Sequence, residues 1–231
     1  MAANSPQPTI VAFVPMRHSS ERVIGKNYRL FAGKPLYHYV VESLLNCPQI
    51  TQVCIDTDSP NIIEDAQQNF PAVKVILRPE HLRSGMTPMN DVLLNSVAQV
   101  PADYYLQTHS TNPLLKSTTI SKAIDLFFKS PDYDSLFGVT RLQTRLYDAE
   151  GKAMNHDPNV LLRTQDLPPV YEENSNLYIF TKTILEERKN RIGYKPLMIE
   201  IERDEAWDID EEVDFRIAEL LYQTRQKATN D

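Results

Sequence analysis

Short apolar runs alternate with helical segments along almost the whole chain, and this alternation limits the possible folds more than any other feature. The runs are too short for buried helices and are rich in β-branched and aromatic residues, so they predict strands. Strand, helix and strand in repeated order predict a mostly parallel sheet covered by helices. The predicted strands are Val11–Val14, Val53–Ile55, Val73–Leu77, Tyr104–Gln107, Ser135–Thr140, Tyr171–Phe180 and Leu197–Ile201.

The length of 231 residues, with 42% hydrophobic content, suits one three-layer α/β domain over residues 1–231. A net charge of −7 leaves no excess of cations to neutralise many phosphates, which argues against nucleic acid or an anionic membrane as the partner. No apolar run reaches membrane-spanning length, and residues 1–9 lack the basic and apolar segments of a secretory signal. Cys47 and Cys54 are interpreted as small buried hydrophobic residues rather than as a disulfide or a metal pair. We therefore expect the protein to reside in a reducing cytoplasm.

A basic and hydroxyl-rich loop follows the first strand, which Pro15 is expected to end because it removes a donor from the ladder. Arg17, Arg22 and Lys26 bring three cations into ten residues. Together with neutral donors they are suited to cradle a polyphosphate, although a solvated basic turn would have the same composition. The neutral donors are Ser19, Ser20 and Asn27.

The order P-x-R-x-x-S-x-x-x-x-x-K-N in this loop resembles the signature of the CMP-sugar synthetases, which are the acylneuraminate and ketodeoxyoctonate cytidylyltransferases. Their loop more usually reads P-A-R-G-G-S-K-G-x-P-x-K-N. The resemblance implies a Rossmann-like fold of the nucleotidyltransferase type, with Arg17 and Lys26 on the triphosphate of CTP and Ser20 and Asn27 at phosphate and nucleoside. Glu21 replaces a lysine of the family, and Arg22 restores the charge one position along.

Two further strand ends carry polar residues where an open α/β sheet binds its ligands. Asp58 and Ser59 follow the second strand and are predicted to cap the next helix. Arg78 follows the third strand, and the resemblance implies that it contacts the nucleotide, whereas a surface cation is the alternative.

The loop after the fourth strand, Thr108–Leu114, holds five consecutive polar side chains, which are costly to bury without a ligand or a capping role. It resembles the Q-x-T-S-P-L-R element of the sialic acid activating enzymes. By that resemblance His109 takes the place of a glutamine that touches the sugar, and Thr111 and Asn112 take the Thr-Ser places. A histidine there would serve as a hydrogen-bond donor rather than a proton-transfer group.

Residues 141–171 break the regular alternation with a stretch too long for an ordinary connection. Its counterpart in the family is a dimerisation insert that closes over the sugar site with basic residues, which implies a homodimer and a role for Arg163. The next segment resembles the family's Asn-Gly-x-x-Tyr element. That likeness implies sugar contacts for Asn174, Ser175 and Tyr178, with Ser175 in the place of the glycine.

Near the C-terminus the segment Trp207–Asp214 is strongly acidic. Asp208 and Asp210 project on the same side if the chain is extended, because side chains alternate with period two, and two carboxylates suit Mg²⁺. An acidic helix start capped by Asp210 is the other interpretation, and both can hold together. D-I-D before a terminal helix is similar to the family's metal-binding segment.

These parts predict a magnesium-dependent cytidylyltransferase that uses CTP and a sugar acid, with Arg17, Lys26 and Asp210 in catalytic roles. No protein nucleophile is needed, because positioning and electrostatics can supply most of the rate. A nucleotidylyltransferase for a sugar or polyol phosphate, and a catalytically silent nucleotide-sugar binding protein, remain alternatives.

Overall fold

The computed structural model describes residues 7–20 and 22–230. Within them a seven-stranded sheet has the order β5-β4-β1-β6-β8-β7-β9, and β2 and β3 form a separate hairpin. The strands are β1 Ile10–Met16, β2 Leu30–Phe31, β3 Lys34–Pro35, β4 Gln52–Thr57, β5 Lys74–Leu77, β6 Tyr104–Thr108, β7 Ser135–Leu142, β8 Val170–Phe180 and β9 Pro196–Glu200. The helices are α1 Leu36–Leu45, α2 Pro60–Asn69, α3 Met89–Gln99, α4 Ser117–Phe128, α5 Lys182–Arg188 and α6 Glu212–Asn230.

The sheet is parallel except at β8, which runs antiparallel to both β6 and β7. The remaining pairs, β1 with β4 and β6, β4 with β5, and β7 with β9, are parallel. The α/β fold with a mostly parallel sheet is therefore as predicted. The carboxyl ends of β1, β4, β5 and β6 consequently lie along one edge of the sheet.

Apolar side chains of β1 alternate between two cores, one on each face of the sheet. Ala12 and Val14 belong to one buried cluster, and Val11 and Phe13 belong to the other. This explains the unbroken apolar run, since a central parallel strand has no solvent-facing side. A third cluster joins the hairpin and α1 to α6 through residues such as Phe31, Leu36 and Phe215.

Pro15 does not end the first strand, which continues to Met16. Strand β1 pairs with β6 only as far as Phe13, while its pairing with β4 continues through Pro15 and Met16. Proline is tolerated there because one side of the strand has already lost its neighbour. The prediction failed because the sequence does not reveal where a neighbouring strand stops.

The predicted helix caps were partly wrong. Ser59 caps α2, since its hydroxyl accepts from the Ile62 N–H. Asp58 instead accepts from the backbone N–H of His18 at 2.8 Å. At α4 the buried carboxylate of Glu205 accepts from the Lys116 N–H and the Thr119 hydroxyl, and the structure gives no side-chain cap at that helix start.

The region 141–171 contains little regular structure, as expected. It holds an isolated bridge between Tyr147 and Ala153 and one turn of 3₁₀ helix at Thr164–Asp166. Elsewhere in the described residues, Cys47 and Cys54 are buried free thiols, and no helix has both the length and the apolar character to cross a membrane.

Candidate functional site

The basic loop after β1 is held in place by two side chains that sequence reasoning assigned differently. Asn27 is buried, and its amide donates to the Arg17 carbonyl at 3.0 Å while its oxygen accepts from the Ser110 hydroxyl at 2.8 Å. Asp58 fixes the other side through the His18 N–H, and the His18 imidazole lies 2.9 Å from the Ser59 hydroxyl. The loop is thereby tied to β4 and β6.

The acidic C-terminal segment docks against the loop after β6. The Ile209 N–H donates to the Thr111 carbonyl at 2.9 Å, and the Asn112 amide lies 3.5 Å from the Trp207 carbonyl. Ile209 is fully buried in the core beside α6, so Asp208 and Asp210 take the opposite side, as the alternation predicted.

The N-terminal cations and the C-terminal acids meet, although almost the whole chain separates them. Arg22 Nη2 lies 2.5 Å from Asp210 Oδ1, and Lys26 Nζ lies 3.9 Å from the same oxygen. The Lys26 ammonium also donates to the Ile209 carbonyl. Burial lowers the pKa of Lys26, although the nearby charges of Asp208 and Asp210 oppose that shift.

Two cavities meet at this group of charges, since the cations line one of them and the aspartates line the other. The first, of about 620 Å³, is cationic and is lined by Arg17, Ser20, Arg22, Lys26 and Arg78 among others. The second, of about 440 Å³, is mainly acidic and polar, and its lining includes Glu173, Asn174, Ser175, Asp208 and Asp210. Anionic and hydroxylated groups are therefore accommodated side by side.

Arg78 lines the first cavity but is almost fully buried, and it is not the surface cation considered above. Its Nε lies 2.5 Å from the Asp56 carboxylate, which also accepts from the Ser96 hydroxyl at 2.9 Å. Burial raises the pKa of Asp56, whereas the charge of Arg78 and the hydrogen bonds from Arg78 and Ser96 act to lower it. Arg78 thus has a structural partner in addition to its place at the cavity.

Of the three residues predicted after β6, two line the first cavity. His109 and Thr111 do so, whereas Asn112 is fully buried beside the C-terminal segment. Burial, reinforced by the charges of Arg191 and Lys26, lowers the pKa of His109 to about 3, and its Nε2 is buried without a hydrogen-bond partner among the described residues. A neutral imidazole at neutral pH agrees with a hydrogen-bonding rather than a charged role.

Asn174 and Ser175 lie in an irregular part of β8, where its register against β7 shifts between Phe137 and Val139. Asn174 bonds the Thr140 hydroxyl at 3.1 Å, and Gly138 is needed beside it because an added Cβ would lie 2.8 Å from Asn174 Oδ1. Ser175 has a left-handed φ of 57°, the conformation that glycine adopts most easily. Serine here therefore occupies a backbone conformation that suits a glycine.

Two predicted sugar ligands lie outside the residues that line the two cavities. Tyr178 is buried, and its hydroxyl donates to Glu173. Arg163 is exposed in the 141–171 region and pairs with Asp166 at 2.6 Å. Glu21, the departure from the family's lysine, lies outside the described residues, as do residues 1–6.

Arg191 was missed by sequence reasoning. It lies between α5 and β9, with its guanidinium 3.5 Å from the centroid of the Tyr178 ring and one N–H donated to Gln107. A single arginine in a short connection gave no signal, because its partners are far away in the sequence.

A divalent cation could be held by Asp208 and Asp210. Within the part of the chain that the structure describes, one carboxylate oxygen of Asp208 is buried without a hydrogen-bond partner. Burial and the nearby Asp210 charge raise the pKa of Asp208 more than Thr111 and Lys26 lower it. No cluster of three or more acidic, histidine or cysteine ligands occurs among the described residues. Mg²⁺ is often bound by one or two carboxylates together with substrate phosphates, so this donor set fits it.

The fold is shared with solved structures of nucleotidyltransferases. The chain resembles the solved structure of CMP:2-keto-3-deoxy-manno-octonic acid synthetase complexed with CTP, with a TM-score of 0.71, 15% identity and coverage of 94% of this chain and 99% of that one. It also resembles 4-diphosphocytidyl-2C-methyl-D-erythritol synthase from Anaerococcus prevotii, with a TM-score of 0.70, 13% identity and coverage of 94% and 97%. The architecture is that of the α/β nucleotidyltransferases.

Sequence comparisons identify the family within this class of fold. The chain is 28% identical to the CMP-N,N'-diacetyllegionaminic acid synthase of Legionella pneumophila, with 95% of this chain and 98% of that protein covered. It is 26% identical to a pseudaminic acid cytidylyltransferase of Campylobacter jejuni, with 94% and 98% covered. The family model described as cytidylyltransferase matches residues 11–228. The chain therefore belongs to the cytidylyltransferases, in the CMP-sugar synthetase family.

Proposed function

We propose that this chain transfers CMP from CTP to the anomeric hydroxyl of a nonulosonate or a related 3-deoxy-keto sugar acid and releases pyrophosphate. The observation that carries the proposal is the meeting of Lys26 with Asp210 between a cationic and an acidic cavity. The names of the legionaminic and pseudaminic acid relatives support the acceptor class.

In this proposal the cationic cavity takes the triphosphate. Arg17 and Lys26 hold the phosphates, Ser20 and Arg22 add donors, and Asn27 keeps the loop in shape. Charge-assisted hydrogen bonds of this kind are about twice as strong as neutral ones. Because Arg22 pairs with Asp210, a triphosphate in this cavity would compete with that carboxylate for the Arg22 guanidinium.

Asp208 and Asp210 are the residues that would hold Mg²⁺. The ion, when bound, neutralises phosphate charge as it develops. The burial of Asp208 and its unpartnered oxygen support this assignment, because a buried carboxylate needs a compensating cation.

The transfer needs the acceptor hydroxyl in line with the α-phosphorus. The oxygen–phosphorus bond to the anomeric oxygen forms, the bond to the pyrophosphate oxygen breaks, and Asp210 accepts the hydroxyl proton. Arg17 and Lys26 stabilise the departing pyrophosphate charge. His109, Thr111, Asn174 and Ser175 line the space available to the acceptor.

The proposal extends to assembly and location. Residues 141–171 would serve as a dimerisation arm and lid that brings Arg163 to a sugar site in a homodimer. Exposed apolar side chains in this region, including Leu161 and Met154, support the arm. The buried free thiols of Cys47 and Cys54 are consistent with a reducing, cytoplasmic setting.

The test is pyrophosphate release from CTP across a panel of nonulosonates, ketodeoxyoctonate and sugar or polyol phosphates, with and without Mg²⁺. We expect release with a sugar acid and Mg²⁺ only. Preference for a phosphorylated acceptor would favour the second candidate, for which the likeness to the methylerythritol enzyme is the supporting observation. No release with any acceptor, despite tight CTP binding, would indicate a silent binding protein.

A further inference from the structure

A largely buried arginine with incomplete charge compensation lies close to His109, which lines the first cavity. The side chain of Arg191 is 14% exposed, and Glu173, its ion-pair partner among the described residues, lies 3.9 Å away at the limit of such a pair. The same Glu173 carboxylate already accepts the Tyr178 hydroxyl. A buried guanidinium is costly unless an anion lies closer than this.

The surroundings fix the position of this guanidinium. It stacks on the Tyr178 ring at 3.5 Å and donates to Gln107, while the Arg191 backbone N–H donates to the Asn90 side chain at 3.3 Å. Contacts from β6 and β8 therefore hold the side chain, and a contact from α3 holds its backbone. Such preorganisation is typical of a binding group, because little entropy is lost when the ligand arrives.

Arg191 lies close to His109. Gln107, which accepts from the Arg191 guanidinium, is in β6, and His109 follows directly after the end of that strand at Thr108. His109 lines the first cavity and has a buried, unpartnered Nε2, and its pKa is lowered partly by the Arg191 charge. The pair thus offers a fixed cation and a neutral hydrogen-bonding ring at the acceptor side of the cavity.

We infer that Arg191 is a specificity-determining residue that binds the carboxylate of the acceptor, with the His109 ring as its neighbouring hydrogen-bond group. The inference rests on the proposed function, since it assigns a residue to the acceptor of that reaction. A planar guanidinium suits a carboxylate because it offers paired N–H donors. Acceptors without a negative group beside the reacting hydroxyl are consequently rejected.

The experiment compares Arg191→Gln with the wild-type chain, using the sugar acid that gives the fastest pyrophosphate release and the methyl ester of its carboxyl group. We expect the acceptor KM of Arg191→Gln to rise about 30-fold, with the CTP KM changed less than twofold. We also expect the wild-type preference for the acid over the ester to disappear in the variant. A structural role would weaken both acceptors equally and leave that ratio intact.

Arg188→Gln is the matched control, since Arg188 lies at the end of α5 and stacks on Tyr194 at 4.6 Å, away from His109. If Arg191→Gln does not fold, Arg191→Met, which keeps an unbranched side chain but removes the charge, tests the same acid-to-ester ratio. An unchanged ratio in the folded variant overturns the inference but leaves the proposed function intact. Absence of release by the wild-type chain with every sugar acid overturns the proposed function itself, and this inference with it.

Discussion

Ser175 stands where the resembling element of the family has a glycine. The family's glycine at this position is explained by the left-handed φ of 57°, which serine adopts only with strain. The strand irregularity around Ser175 brings it and Asn174 to the second cavity. Such irregularities often lie next to functional sites, where they redirect a side chain.

Asp210 is the residue whose substitution should reduce turnover most directly. Asp210→Asn removes the proposed proton acceptor and the partner of Arg22, so we expect kcat to fall about 100-fold at saturating CTP, acceptor and Mg²⁺. Pyrophosphate release measures it. The control is Glu211→Gln, an exposed neighbouring acid, which should retain kcat. Unchanged turnover in Asp210→Asn would remove Asp210 from the chemistry.

The sequence indicated the loop cations and the two aspartates because motifs and alternation are local signals. It gave no indication of Arg191 or of the role of Asp58. Arg191 depends on Gln107, 84 positions away, and Asp58 on His18, 40 positions away. The local sequence favoured helix capping by Asp58, but in the structure its carboxylate accepts from the His18 N–H instead.

At the scale of elements, the ends of β4 and β5 are joined by the buried pair of Asp56 and Arg78. Arg78→Met leaves the Asp56 carboxylate buried and without its cation, which we expect to lower the free energy of unfolding by about 3–5 kcal/mol. Urea denaturation measures this loss. Lys74→Gln, an exposed cation of β5, should change it by less than about 0.5 kcal/mol. A loss below about 1 kcal/mol for Arg78→Met would make its role at the cavity the main one.

The packing of α1 against α2 includes a carboxylate that should make stability depend on pH. Burial raises the pKa of Asp65, but hydrogen bonds from Tyr37, His38 and Asn69 outweigh it and hold the pKa below its ordinary value. A lowered folded-state pKa stabilises the protein above the unfolded pKa of about 3.9, and that stability is lost as the pH falls through the folded value.

Asp65→Asn should therefore cost about 2 kcal/mol of unfolding free energy at pH 7, and the difference from wild type should shrink below about pH 4. Urea denaturation at pH 7 and pH 3 measures both values. Asp132→Asn, at an exposed carboxylate before β7, is the control and should show no such trend. A constant difference at both pH values would contradict the assignment.

Elements were easier to predict than their ends. The seven long strands could be recognised from the sequence, since burial on two faces leaves a local pattern of apolar residues. The direction of β8 had no local signal, because an apolar strand has the same composition in either direction. The two-residue strands β2 and β3 were also missed, since so short a pair has no period.

At the scale of the whole molecule, the site depends on α6 returning to the N-terminal hairpin. The third apolar cluster, which includes Phe31 and Phe215, holds α6 there, and Arg29 binds the Glu212 carboxylate at 2.6 and 2.7 Å at the start of the helix. This packing brings Asp210 to Lys26. Fold stability and site geometry therefore share the same contacts.

The proposed arm predicts the assembly. Within 141–171, Leu161 is 90% and Met154 is 65% exposed, and apolar side chains exposed in one region favour association. We expect a dimer by size-exclusion chromatography with light scattering, and a monomer for Leu161→Asp, since a buried charge at an interface is costly. Leu220→Asp, at an exposed leucine of α6, should leave the dimer intact. A wild-type chain that stays monomeric at every concentration tested, with full activity, would show that the arm acts within one chain, and Arg163 would then have to reach its own sugar site.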